Sequence, residues 1–276
     1  MSEKALTSVK SLGDLDEKAL RALVTQQEGV RGSATAEDIR DALGGQLPRL
    51  EKIKVIAQAG TFKFEDDEIA TSLTGVIAAH TYRNARYDTA FEEREEGAMP
   101  DCFSNDGVHV AADVEAPKAA NCRVCRINRG APWGSEARQA AFEADRDETC
   151  SNYLVLAVSL PGVEFPYEVR LSQASFKNWG TYVQRIGSRG RFLPCEVATK
   201  LSLSVKHGVA DYTVCGFEML GPLPAELATR FRANQENILA ALRRSGPRHD
   251  DGPSDADAAR AAKEAVEAAK SQPNAL

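Results

Sequence analysis

Four cysteines in the middle of the chain, Cys102, Cys122, Cys125 and Cys150, follow the spacing C-x19-C-x2-C-x24-C, and no other feature constrains the fold as much. Two thiolates two residues apart can chelate one tetrahedral ion from a tight turn, and two distant thiolates can complete the shell. Four sulfurs leave no open coordination position, so the implied ion is structural Zn²⁺ rather than a catalytic metal. His109 lies in the same stretch and can stand in for either outer ligand, Cys102 or Cys150. A redox reading of the central pair fits less well, because such pairs usually open a helix after a strand. Here the pair sits in the polar, arginine-rich stretch Ala120-Asn-Cys-Arg-Val-Cys-Arg-Ile-Asn-Arg129. Disulfides conflict with the expected compartment. The chain opens Met-Ser-Glu-Lys without an apolar signal region and has no apolar run of membrane-spanning length, so a reducing cytoplasm and no membrane association are expected. Cys195 and Cys215 fall in or beside strand-like stretches and read as buried small apolar residues.

Strand patterns flank the cysteines on both sides. Leu50 to Gln58, Thr61 to Phe64 and Ile69 to His80 begin a meander, with Gly75 marking a bulge. Tyr153 to Leu160, Tyr167 to Leu171, Val197 to Lys206 and Ala210 to Leu220 continue it, the last two as a hairpin turning at His207-Gly208. A helix from about Ala174 to Ile186 puts Phe176, Trp179, Val183 and Ile186 on one face, so Trp179 reads as core, and Gly187-Ser-Arg-Gly-Arg191 follows as a loop. Neither group of strands suffices to close alone, and joining them removes exposed edges. The expected fold is therefore α+β and β-rich: an OB-like barrel from residues 49–100 and 151–220, interrupted by a four-cysteine zinc-binding module at 101–150. A helical N-terminal arm (1–48), a C-terminal helix (221–245) and a disordered acidic tail (246–276) complete the expectation.

The net charge of −6 argues superficially against a polyanionic partner, but the local field decides. From Arg170 to Lys206, seven cations (Arg170, Lys177, Arg185, Arg189, Arg191, Lys200 and Lys206) face the single acid Glu196, a local balance of +6. Thr81-Tyr-Arg-Asn-Ala-Arg-Tyr87 alternates aromatics and arginines as a stacking and phosphate-binding surface does. Tyr82, Arg83, Arg86 and Tyr87 are thus candidate nucleic-acid contacts. Lys177, Arg185, Arg189 and Arg191 extend the track, and Arg123, Arg126, Arg129 and Trp133 frame the cysteine module.

The succession Gly75-Val-Ile, Pro100-Asp-Cys-Phe-Ser-Asn-Asp-Gly, Asn121-Cys-x-x-Cys, Trp133-Gly-Ser, a distant Cys150 and Ser175-Phe-Lys-Asn-Trp179 resembles proteins of tailed phages and prophages. In outline it is similar to zinc-containing phage single-stranded DNA-binding proteins, in which an OB-type barrel carries a zinc subdomain. The resemblance spans roughly residues 50 to 220. It implies single-stranded DNA binding in replication or recombination, in a host cytoplasm if the chain is phage-encoded. It also implies replication or recombination partners reached through the N-terminal arm or the acidic tail. The chain ends Pro273-Asn-Ala-Leu276 and so lacks the acidic-then-aromatic terminus of bacterial single-strand-binding proteins.

An enzyme is not expected. HExxH, GxxxxGK[ST] and G-x-S-x-G are absent, and the four histidines are scattered. The alternative is a zinc-stabilised structural or adaptor protein that binds no nucleic acid.

Overall fold

The computed structural model describes residues 50–89, 98–130, 134–143, 149–163, 165–207, 212–244 and 246. The expected N-terminal arm and, apart from Gly246, the expected acidic tail lie outside the described residues. Within them the chain is a mixed α+β structure dominated by one nine-stranded sheet. In chain order the elements are β1 (Lys52–Ile56), β2 (Thr61–Lys63), β3 (Ile69–Ala70), β4 (Ser72–Arg86), β5 (Cys102–Ser104), α1 (Glu136–Glu143), β6 (Ser151–Ser159), β7 (Tyr167–Ser172), α2 (Phe176–Gly190), β8 (Val197–Lys206), β9 (Tyr212–Pro222) and α3 (Ala225–Arg244). The sheet order is β3-β2-β1-β7-β6-β4-β8-β9, with β5 added to β4. Strands from before and after the cysteine segment therefore share one sheet.

β4 organises it. On one edge it pairs with β6 from Val76↔Ser159 to Ala85↔Ser151. On the other edge β8 takes its first half and β5 its last three residues. A register shift between Ile77 and Ala79 places the bulge there rather than at Gly75. Gly75 serves a different need: a Cβ at that position would lie 2.3 Å from the Ser159 carbonyl oxygen. The bulge also sets which side chains face which layer. Leu73 and Ile77, and beyond the bulge His80 and Tyr82, face α2; Ala79, Arg83 and Ala85 face α3.

The α2 side is the large core, in which Leu154, Leu156, Val158, Val169 and Leu171 pack on Trp179, Tyr182 and Ile186. The α3 side is lined by Ala78, Ala79 and Ala157, small enough to admit Ile238, Ala241 and Leu242. Trp179 is core, as its helical position indicates. The sheet curls around α2 until the β1–β2 turn meets the β8–β9 hairpin. Thr213 Oγ1 donates there to the Ala57 carbonyl, and Gly60, at φ +62°, leaves just enough room for Val205. The sheet nevertheless stays open. The expected OB-like barrel is instead a curled half-barrel, because α2 occupies the space across which the strands would have to close.

An exposed edge strand invites pairing with other chains. Side chains blunt this one: Ser175 Oγ accepts from Cys215 N–H, Asn178 Nδ2 donates to Cys215 O, and Arg185 Nη2 donates to Phe217 O. α2 also runs further than its apolar stripe indicates. Gly187 to Gly190 form its last turn rather than a loop, and Arg191, left-handed at φ 55°, caps it by donating its N–H to Gly187 O. No helix among the described residues is long and apolar enough to cross a membrane.

Candidate metal centre and nucleic-acid interface

Strand register brings the outer cysteines together. Cys102 on β5 stands opposite Arg86, and Ser151 on β6 stands opposite Ala85, so Cys150 extends β6 to the level of Arg86 from the other side. Cross-strand partners share a face. Cys102 and Cys150 thus flank the end of β4 on the side where α2 packs. The CxxC turn is laid over that face. Asn121 Oδ1 accepts the Arg123 and Val124 N–H groups at 2.9 and 3.3 Å, closing the turn. Cys122 N–H donates to Val108 O, Asn128 Nδ2 donates to Cys122 O at 2.7 Å, and Cys150 N–H donates to Ile127 O at 2.8 Å. All four cysteines are buried and none is in a disulfide.

The thiols act on one another. Cys125 and Cys150 share a side-chain hydrogen bond, which with the Ile127 and Asn128 backbone N–H groups draws the Cys125 thiol down against its burial. The same bond, burial and the nearby sulfurs of Cys125, Cys102 and Cys122 push Cys150 up. One proton therefore serves the pair. Burial raises Cys122 as well, opposed by hydrogen bonds from Asn84 and Ser104. Among the described residues, no group of three or more His, Cys, Asp or Glu side chains is arranged to hold a metal ion. The sulfurs are gathered without forming a closed coordination shell.

His109 stands apart from them. Its side chain is 79% exposed, and Nδ1 lies 2.7 Å from Asp106 Oδ2. Burial pushes the Asp106 carboxyl up. The His109 ring, the N–H groups of His109 and Val108, and the Ser104 hydroxyl together outweigh burial and hold it at about 2. A lowered carboxyl pKa stabilises the fold above the ordinary value of 3.8, and that contribution fades as pH falls toward about 2. The gap in melting temperature between wild type and Asp106→Asn should therefore be widest above about pH 4 and shrink steadily below it.

The other sequence candidates divide. Tyr82 is 38% exposed, its ring edge against Phe176 at 5.2 Å. Arg83 is not a surface cation: it is fully buried, bonded to Glu168 and to the Leu242 carbonyl of α3. β4 extends through Arg86, and strand alternation turns Arg83 to the face opposite Tyr82. Arg86 donates to Tyr87 O and reaches Asp88 at 3.5 Å, while Tyr87 packs on the α3 core. Arg123 and Arg126 are exposed at the tip of the CxxC turn, with Val124 between them 57% exposed. Arg129 Nε donates to Ala141 O, fastening α1. Lys177, Arg185, Arg189 and Arg191 are exposed along and after α2, Arg185 with one donor on the β9 edge. Trp133 lies outside the described residues. Gln173 Nε2 donates to Arg129 O at 3.3 Å, joining the residues just before α2 to the cysteine module.

Sequence reading missed a polar layer beneath the cysteines. Ser104, Asn84 and Asn152 stand in register across β5, β4 and β6, and all are buried with Asn128. Their only signal is polar residues inside strand-like stretches, which periodicity treats as breaks. No protein-family model, no curated protein and no solved structure matches the chain.

Proposed function

We propose that this protein is a zinc-stapled single-stranded DNA-binding protein of replication or recombination, little selective for base, with Cys102, Cys122, Cys125 and Cys150 as the zinc ligands. The donor set fits the ion. It offers four buried sulfurs on one face, one of them already inclined to ionise, and backbone N–H groups directed at the Cys125 sulfur. When bound, Zn²⁺ would replace the shared protons and draw the four sulfurs into a tetrahedron. The chain's own residues supply the rest of the staple: Asn121 shapes the turn, and Asn128 and Val108 hold it to the sheet.

One observation carries the DNA reading. Arg123 and Arg126 at the turn tip, Lys177 on the first turn of α2 and the open Tyr82 all lie on the same side of the sheet. A flexible strand needs such a positive track with at least one stacking surface, a stacked base being worth about 1–3 kcal/mol. Arg189 and Arg191 continue the track along α2. The N-terminal arm and the acidic tail are the proposed partner-docking elements, and the compartment proposed is the cytoplasm. The proposal is of a binder and not of an enzyme.

Titration of single-stranded and duplex oligonucleotides across a salt series tests it. Log affinity for the single strand should fall linearly with log salt, with a slope near −0.7 per phosphate neutralised. Arg123→Ala with Arg126→Ala should flatten that slope. Tyr82→Ala should weaken binding by about 1–3 kcal/mol at unchanged slope. Equal or tighter duplex binding contradicts the proposal. Failure to bind either at low salt favours a zinc-stabilised adaptor, a reading supported by the withdrawal of Arg83 and Tyr87 into packing.

A further inference from the structure

We infer that Asn84 is a positioning residue for the metal, donating an amide N–H to the sulfur of Cys122 from beneath the site. The inference rests on the zinc reading and goes beyond its ligand set. Asn84 is 4% exposed, in the middle of the row Ser104–Asn84–Asn152. Its Nδ2 is buried without a well-formed hydrogen bond, an arrangement rare in folded proteins and one that calls for an explanation. The side chain that Asn84 does engage is Cys122. A protonated thiol is a poor acceptor, whereas a metal-bound thiolate has the lone pairs and charge that an amide donor seeks. The orphaned donor and the Cys122 thiolate are thus two halves of one arrangement: ionisation of Cys122 on binding the ion supplies the acceptor that Asn84 lacks.

Its neighbours are committed elsewhere. Ser104 Oγ donates to Asp106 Oδ1 at 3.1 Å, Asn128 Nδ2 to Cys122 O and Asn152 Nδ2 to Cys150 O. These tie the backbone of the turn and leave Asn84 as the amide available to the sulfur itself. Outer donors of this kind orient a ligand and tune its basicity, and their loss typically costs about 10–100-fold in metal affinity.

The test uses the full chain, with zinc affinity measured against a chromophoric chelator and the sulfur-to-metal charge-transfer band read after Co²⁺ substitution. Wild type is titrated first; a chain that takes up no zinc overturns the metal reading and the role of Asn84 with it. Asn84→Leu, similar in size but without a donor, should lower zinc affinity by about 10–100-fold and move the band to lower energy. Asn152→Leu, disturbing the same layer without removing the donor to Cys122, should leave the band in place. Asn84→Asp keeps the shape, lacks the N–H and should shift the band as Asn84→Leu does, so the reading survives if the leucine variant fails to fold. Unchanged affinity and band in a folded Asn84 variant overturn the inference while leaving the zinc site standing. An equal band shift in Asn152→Leu also overturns it, because packing would then explain the effect.

Discussion

Arg83→Met will destabilise the folded chain by about 3–5 kcal/mol, because it strands the Glu168 carboxylate in the interior. Arg83 Nη1 lies 3.0 Å from Glu168 Oε1, and Nη2 lies 3.0 Å from the Leu242 carbonyl near the end of α3. The pair is 0% and 2% exposed, so neither group has water to fall back on. The arginine therefore does two things: it neutralises a buried acid on β7 and fastens α3 to the sheet. The attraction itself is worth far less than the cost of breaking it, since desolvation of both ions offsets most of it. Arg83→Met combined with Glu168→Leu should accordingly recover most of the loss. Urea unfolding reads both results as shifts in midpoint at constant slope. A loss below about 1 kcal/mol in the single variant would mean that water reaches Glu168 and that the pair does not act as described.

The second large effect concerns the cysteine segment. Between residues 98 and 150 the buried apolar side chains besides the cysteines are few, chiefly Phe103, Ala137 and Ala141. So little burial cannot offset the entropy of ordering such a stretch, and a structural ion supplies the balance, about 10–16 kcal/mol apparent in small zinc domains. Chelation, or Cys125→Ser, should therefore open residues 98–150 to protease while β6 to β9 and α2 keep their hydrogen-exchange protection. The sheet survives because its large core lies around α2 and draws nothing from the cysteines. A segment equally resistant with and without chelator would show that its hydrogen bonds suffice alone.

Much of the sheet is legible from β-branched and aromatic runs bounded by turns, and β1, β2, β6, β7, β8 and β9 lie where those runs stand. The cysteine spacing singles out four residues that the structure gathers on one face. The differences have separate physical causes. Thr81 to Arg86 reads as a surface because it is polar, yet it completes β4, and alternation buries Arg83 and exposes Tyr82. β5 is three residues long and holds its place through its partner, so no local pattern marks it. The end of α2 escapes the pattern because Gly187 and Gly190 look like breakers, whereas the left-handed Arg191 makes the cap. Closure of the sheet depends on what fills its hollow, a tertiary property that strand patterns do not carry.

Native mass spectrometry of the full chain, purified without chelator, tests the central claim most directly. One Zn²⁺ per chain is predicted, lost in Cys122→Ser and retained in His109→Ala. A metal-free wild-type chain that still binds single-stranded DNA would contradict the account, because the turn carrying Arg123 and Arg126 would then be held without the ion on which the whole site is argued to depend.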